Sequence, residues 1–192
     1  MSLTELEKDT ALVLIDMQKG IAAGPTAPHT SEQVIANSAH LAEAFRARQL
    51  PVILVRVTFA ADGSDLFVPR ADVTPGSVPS AADWDQLVEA VGPAGTDIIV
   101  EKRSWNAFHG TALDLHLRRR NITSIVLGGI ATSIGVESTA RAAHDHGYHL
   151  IFASDAMTDR AAKMHDHSVQ YLFPRLGRIA TTEEVLAALK TL

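Results

Sequence analysis

The chain has 192 residues, 46% of them hydrophobic, and a formal net charge of −5 with no basic block; this balance suits one globular domain over residues 1–192 and argues against non-specific nucleic-acid binding. It contains no cysteine, which excludes disulfides, thiolate metal sites and a thiol nucleophile. No apolar run is long enough to span a bilayer and the polar opening MSLTELEKDT has no apolar signal core, so a cytoplasmic protein without a membrane partner is expected.

Thr10 to Ile15 is an almost wholly apolar run that stops at Asp16, the pattern of a strand buried on both faces of a parallel sheet. Residues 17–29 carry Gly20, Gly24, Pro25 and Pro28 and read as loop. Thr30 with Gln33 forms a capping box, and Val34, Leu41, Ala42 and Phe45 give the helix behind it one apolar stripe, ending near Gln49. Pro51 to Val57 is a second strand; residues 58–80 are an irregular stretch of the length usually reserved for function. A short helix is expected over Ala81 to Val91 with Trp84, Leu87, Val88 and Val91 inward, then a third strand from Asp97 to Val100 that stops at Glu101-Lys102. A turn from Arg103 to Gly110 leads to a helix from Thr111 to Arg120, whose terminal basic triplet suits the negative end of the helix dipole and a solvated surface.

The most informative stretch is Ser124 to Asp155. An apolar run (Ile125 to Leu127) meets Gly128-Gly129, a turn covers Ile130 to Gly135, a helix stops at Gly147, and a second apolar run (Leu150 to Ala153) closes on Asp155: a βαβ unit. Asp159 is then expected to cap a helix running to about Phe173, Ile179-Ala180 to form a short sixth strand, and Thr182 to cap a last helix over Glu183 to Lys190. Strands alternating with helices predict an α/β, three-layer αβα fold around a mostly parallel six-stranded sheet. Ligands bind such sheets outside the carboxyl ends of the strands, and there the sequence puts Asp16, Lys102 and the turn from Gly128 to Gly135. Each also has a plain structural reading, as a cap, a solvated lysine or a tight strand–helix junction.

The three blocks VLIDMQ, EKRSWNAFHGTALDLHLRRR and GGIATSIGVESTARAAHDHGY, in this order, resemble the isochorismatase-like (cysteine hydrolase) superfamily over nearly the whole chain. The resemblance implies an Asp–Lys–Cys site with Asp16 and Lys102 at its first two positions, a cis peptide between Ile130 and Ala131, backbone oxyanion donors at Ala131 and Gly135, and a homodimer or larger assembly. The family cysteine falls at Gly135, which has no side chain to form a covalent intermediate. Ser133 and Ser138 lack an adjacent base and are poor replacements. Glycine at this position is what true isochorismatases carry; by that analogy a protonated Asp16 donates to an enol ether and Lys102 orients it. The turn reads Ala131-Thr132-Ser133, unlike the turn of those enzymes, and Ser104 stands where they carry an arginine, so the substrate stays open.

Ile130, Thr132, Trp105 and Phe108 are expected to contact the small-molecule substrate, with core packing an equal reading for the two aromatics. Phe59 and Phe67 are candidates for a lid or a subunit contact. Arg56 and Thr58 either meet a substrate carboxylate or form a plain strand-end pair, the latter preferred. No cofactor and no metal are expected: residues 57–67 lack the histidines of the nicotinamidase metal site, and in the histidine-rich stretch His144, His146 and His149, with His165 and His167 later, positions two apart on a helix do not face one another and His149 starts a strand. Two other functions compete with enol-ether hydrolysis: a catalytically retired member that binds a metabolite or assembles, and an amide hydrolase using water activated by Asp16.

Overall fold

The computed structural model describes residues 3, 5–73 and 81–192, so residues 74–80 of the long irregular stretch lie outside the described residues. Six strands, β1 (Thr10–Ile15), β2 (Val52–Val57), β3 (Ile98–Lys102), β4 (Ser124–Ile130), β5 (His149–Thr158) and β6 (Gly177–Ala180), form one sheet in the order β3-β2-β1-β4-β5-β6 with every pairing parallel. The chain runs outward from β1 to β2 and β3, then returns to place β4 against the other side of β1. In open parallel sheets such a reversal, here at the carboxyl ends of β1 and β4, is where ligands bind.

Helices α1 (Lys19–Ala22), α2 (Ser31–Ala47), α3 (Leu113–Arg118), α4 (Glu137–Asp145), α5 (Ala162–His167), α6 (Phe173–Leu176) and α7 (Thr182–Leu189) surround the sheet, with π-helical segments at Thr132–Val136, leading into α4, and at Ser168–Leu172, joining α5 to α6. Alternation along β1 builds two cores. Leu12 and Leu14 pack with Phe45 of α2 and Val185 of α7. Val13 and Ile15 pack on the other face with Leu113, Ala140 and Phe173. The α2 capping box forms as its sequence predicts, Gln33 N donating to Thr30 Oγ1 at 3.2 Å and Thr30 N to Gln33 Oε1 at 2.9 Å.

Several boundaries differ from the sequence expectation. Residues 81–91 form turns rather than a helix. Their backbone groups go to the segment after β1: Gly20 N donates to Trp84 O, Lys19 N to Gln86 O and Val88 N to Met17 O, each at 2.9 Å. Once those partners are used, an internal helix has nothing to gain. Trp84 lies stacked on Phe59 at 6.1 Å. Helix α3 is shorter than expected, and Arg118 of the basic triplet is fastened over the Tyr148 ring at 4.5 Å and to Asp114 at 3.2 Å. Strand β5 continues past Asp155 to Thr158 through a register shift opposite Gly128, where a Cβ would meet Ala156 O at 2.8 Å. Asp159 caps no helix: Ala161 is the N-cap of α5. Thr181, not Thr182, caps α7, in a capping box with Glu184.

Candidate active site

Asp16 follows the last residue of β1 with φ +52, a left-handed conformation that aspartate tolerates better than most residues. Its N–H still donates to Val55 O at 2.8 Å and its carbonyl accepts from Gln18 N at 2.8 Å, so the chain kinks without leaving the sheet. The kink aims the carboxyl across β2 towards β3. Lys102 is the final residue of β3 rather than the first beyond it, in register with Val57. Its Nζ lies 2.7 Å from Asp16 Oδ2 and donates to Trp105 O at 2.9 Å. Asp16 is 6% exposed and Lys102 2%.

The two carboxyl oxygens of Asp16 differ. Oδ2 holds the Lys102 ammonium, whereas Oδ1 is buried without a hydrogen-bond partner. Burial pushes the Asp16 carboxyl up from 3.8 to about 6, against the pull of the Lys102 charge and hydrogen bond and of the Val57 backbone N–H. A lysine at 2.7 Å alone would lower it; desolvation of the carboxylate is the larger effect.

Gly135, in the π-helical segment before α4, completes the group. A Cβ there would sit 3.1 Å from Asp16 Oδ2, 3.4 Å from Lys102 Nζ and 2.9 Å from Ile15 Cγ2. The glycine therefore borders the ion pair, and a side chain would press into it and into Ile15. Close approach recurs one turn earlier: Gly129, at φ +127, lies so near β1 that a Cβ would be 2.1 Å from Ile15 O. The Ile130–Ala131 peptide bond is cis. Val136 N donates to Ala131 O at 3.2 Å and Ser133 N to Asp159 Oδ2 at 2.7 Å, closing the turn.

Thus Asp16, Lys102 and Gly135, remote in sequence, are brought together. The expected substrate contacts fare differently. Ile130 and Thr132 are fully buried, with the Thr132 hydroxyl directed to His165 at 2.9 Å, so their side chains support the turn from inside. Trp105 supplies its carbonyl to Lys102 while its indole is 64% exposed. Phe108 belongs to the core, stacked on His146 at 4.9 Å and near Tyr148 at 5.8 Å beside the start of β5. Arg56 is paired with Glu101, and Thr58 donates to Asp85 Oδ2 at 2.6 Å, the strand-end arrangement. No group of three or more His, Asp or Glu that could hold a metal ion is found among the described residues.

Three residues enter in roles that the sequence did not suggest. Gln18 is fully buried; its Nε2 donates to Val57 O at 2.8 Å and Asp85 O at 3.1 Å, and its Oε1 accepts from Val57 N at 2.8 Å. It locks the end of β2 beside Asp16, and its place two residues after Asp16 in VLIDMQ was the available signal. Asp159, fully buried, accepts from Ser133 N and from Arg160 N, the latter at 2.7 Å. His165 backs Thr132.

Residues 10–184 match the isochorismatase domain family. The chain belongs to the isochorismatase family. It is 43% identical over 182 residues to the isochorismatase family protein YecD of Escherichia coli O157:H7, covering 95% of this chain and 97% of that protein. Enterobactin synthase component B of Escherichia coli K12 is 28% identical over 180 residues, covering 93% of this chain and 62% of that protein. An isochorismatase family protein of Burkholderia thailandensis has the same fold, with a TM-score of 0.94 and 43% identity over 98% of this chain and 100% of that one. Within the isochorismatase family frame, the six-stranded parallel sheet is the shared scaffold. The Asp16–Lys102–Gly135 group sits at its switch point.

Proposed function

We propose that this isochorismatase-family protein is a hydrolase of a small activated molecule, with an enol ether of the isochorismate kind as the leading substrate class and Asp16 as general acid. The observation that carries this reading is the buried Asp16 carboxyl, held by the Lys102 ammonium at 2.7 Å and yet raised to about 6 because desolvation outweighs that charge. A proton on the Asp16 carboxyl passes to the terminal carbon of the enol ether, giving an oxocarbenium ion. Water adds to that ion, and the hemiketal collapses to a ketone and an alcohol, with one water consumed. Asp16 is reprotonated from the water that added. Lys102 stays charged and steadies the carboxylate left by proton transfer. Gly135 abuts the pair and offers no nucleophile, and the backbone N–H groups of Ala131 and Gly135 are proposed to face developing negative charge.

The test is Asp16→Asn, assayed against isochorismate and simpler enol ethers. Turnover is expected to fall by about 10²- to 10⁴-fold, the usual weight of a general acid, with the fold retained by circular dichroism. Full activity in the variant would refute the mechanism. Tight binding with no turnover by the wild type across the panel would favour a retired, metabolite-binding member. A single domain over residues 1–192 and a homodimer or larger assembly complete the proposal, the latter checked by light scattering.

A further inference from the structure

The turn from Ala131 to Val136 presents Gly135 to the Asp16–Lys102 pair, yet none of its supports comes from that pair. They come from behind. Asp159, just past β5, takes Ser133 N at 2.7 Å, and the ring nitrogen Nδ1 of His165, on α5, meets the Thr132 hydroxyl at 2.9 Å. Thr132 is fully buried and His165 is 4% exposed. The His165 ring is packed edge-on against His29, with centroids 5.5 Å apart. An imidazole and a hydroxyl buried together use each other's hydrogen-bonding capacity, and removal of either leaves the other costly to bury.

We propose that His165 is a positioning residue of this site: through the Thr132 hydroxyl it fixes the turn so that Gly135 abuts the Asp16–Lys102 pair. The inference rests on the proposed function for its catalytic consequence, but its structural half stands without it. Burial, with the neighbouring His29 ring, holds the imidazole below its ordinary range, while Asp166 and Asp159 act in the opposite sense. The side chain is therefore neutral at pH 7, the form that a buried contact with a hydroxyl requires. Because the contact runs through Nδ1, the shorter amide of asparagine can reach Thr132 where a ring without nitrogens cannot.

The experiment compares wild type with His165→Phe, His165→Asn, Thr132→Val and the double variant His165→Phe/Thr132→Val. Two measurements are made: amide hydrogen exchange at Ser133 to Val136 without substrate, and kcat and KM on an enol ether that the wild type turns over. Exchange in the turn is expected to rise at least tenfold in His165→Phe and Thr132→Val, to return near wild type in His165→Asn, and to rise no further in the double variant. With it, kcat falls about tenfold at nearly constant KM. Unchanged exchange in a folded Thr132→Val protein, or equal loss in His165→Asn and His165→Phe, would overturn the proposal. If His165→Phe does not fold, Thr132→Val, which removes a single hydroxyl, decides. Failure of the Asp16 mechanism would show separately, as full activity in Asp16→Asn with the exchange pattern intact.

Discussion

Asp16 shows how one residue is given two unlike oxygens. Its left-handed backbone, at φ +52, turns the carboxyl so that Oδ2 reaches the ammonium while Oδ1 is buried. In the proposed mechanism the acid form is the working one, so kcat/KM is expected to be high on the acid side and to fall as pH rises through about 6. A pH–rate profile checks this; a rate that instead rises through the same window would mark Asp16 as a base and favour amide hydrolysis by activated water. Gly135 is constrained in the opposite way, by what it lacks. In Gly135→Ala the added Cβ meets Ile15 Cγ2 at 2.9 Å, and a fully buried, β-branched neighbour has little freedom to yield. The substitution is expected to cost about 1–3 kcal/mol by urea unfolding, the usual range for overpacking, and to displace the Lys102 ammonium from Asp16.

At the scale of elements, the candidate site depends on strand ends and one turn, held by groups outside the Asp16–Lys102–Gly135 trio. Gln18 holds the end of β2, Trp105 O holds Lys102, and Asp159 and His165 hold the turn. The approach to β3 is fixed in a comparable way: Arg46 of α2 grips Asp97 through Nε at 3.1 Å and Nη2 at 2.6 Å, and also donates to Val91 O at 2.6 Å. The Asp97 side chain is 3% exposed, so Arg46→Met leaves a buried carboxylate without its counter-charge. A loss of about 3–5 kcal/mol is expected, measured by chemical denaturation, with the Asp16–Lys102 contact unchanged because it lies at the far end of β3.

For the whole molecule, two buried titratable groups pull stability in opposite directions. The folded-state carboxyl of Asp16 is raised, so the stability it contributes is full below its ordinary value of 3.8 and is lost as pH rises through about 6. His165 is depressed, so its contribution is full above its ordinary value of 6.5 and is lost as pH falls. Asp16→Asn, neutral at every pH, should therefore gain Tm relative to wild type on going from pH 4 to pH 8. Thermal melts across that range test the sign.

Much of this architecture was legible in the chain before folding was considered. Apolar runs such as Thr10 to Ile15 mark strands buried on both faces, the Thr30–Gln33 pair marks a helix start, and Asp16, Lys102 and the glycine turn fall at strand ends, because hydrophobic periodicity and capping act between near neighbours. What local pattern does not encode is partnership at a distance. Residues 81–91 carry an apolar pattern that suits a helix but give their backbone hydrogen bonds to the segment after β1. Phe108 goes to the core and Trp105 to the surface, although they lie three residues apart in one turn. The sequence by itself determined the alternation of strands and helices and the absence of a thiol. Only the tertiary structure decided that Asp16, Lys102 and Gly135 meet, that the carboxyl is buried, and that His165 stands behind the turn. Those outcomes depend on strand order and on desolvation, and both arise only when segments far apart in the chain exclude water from one another.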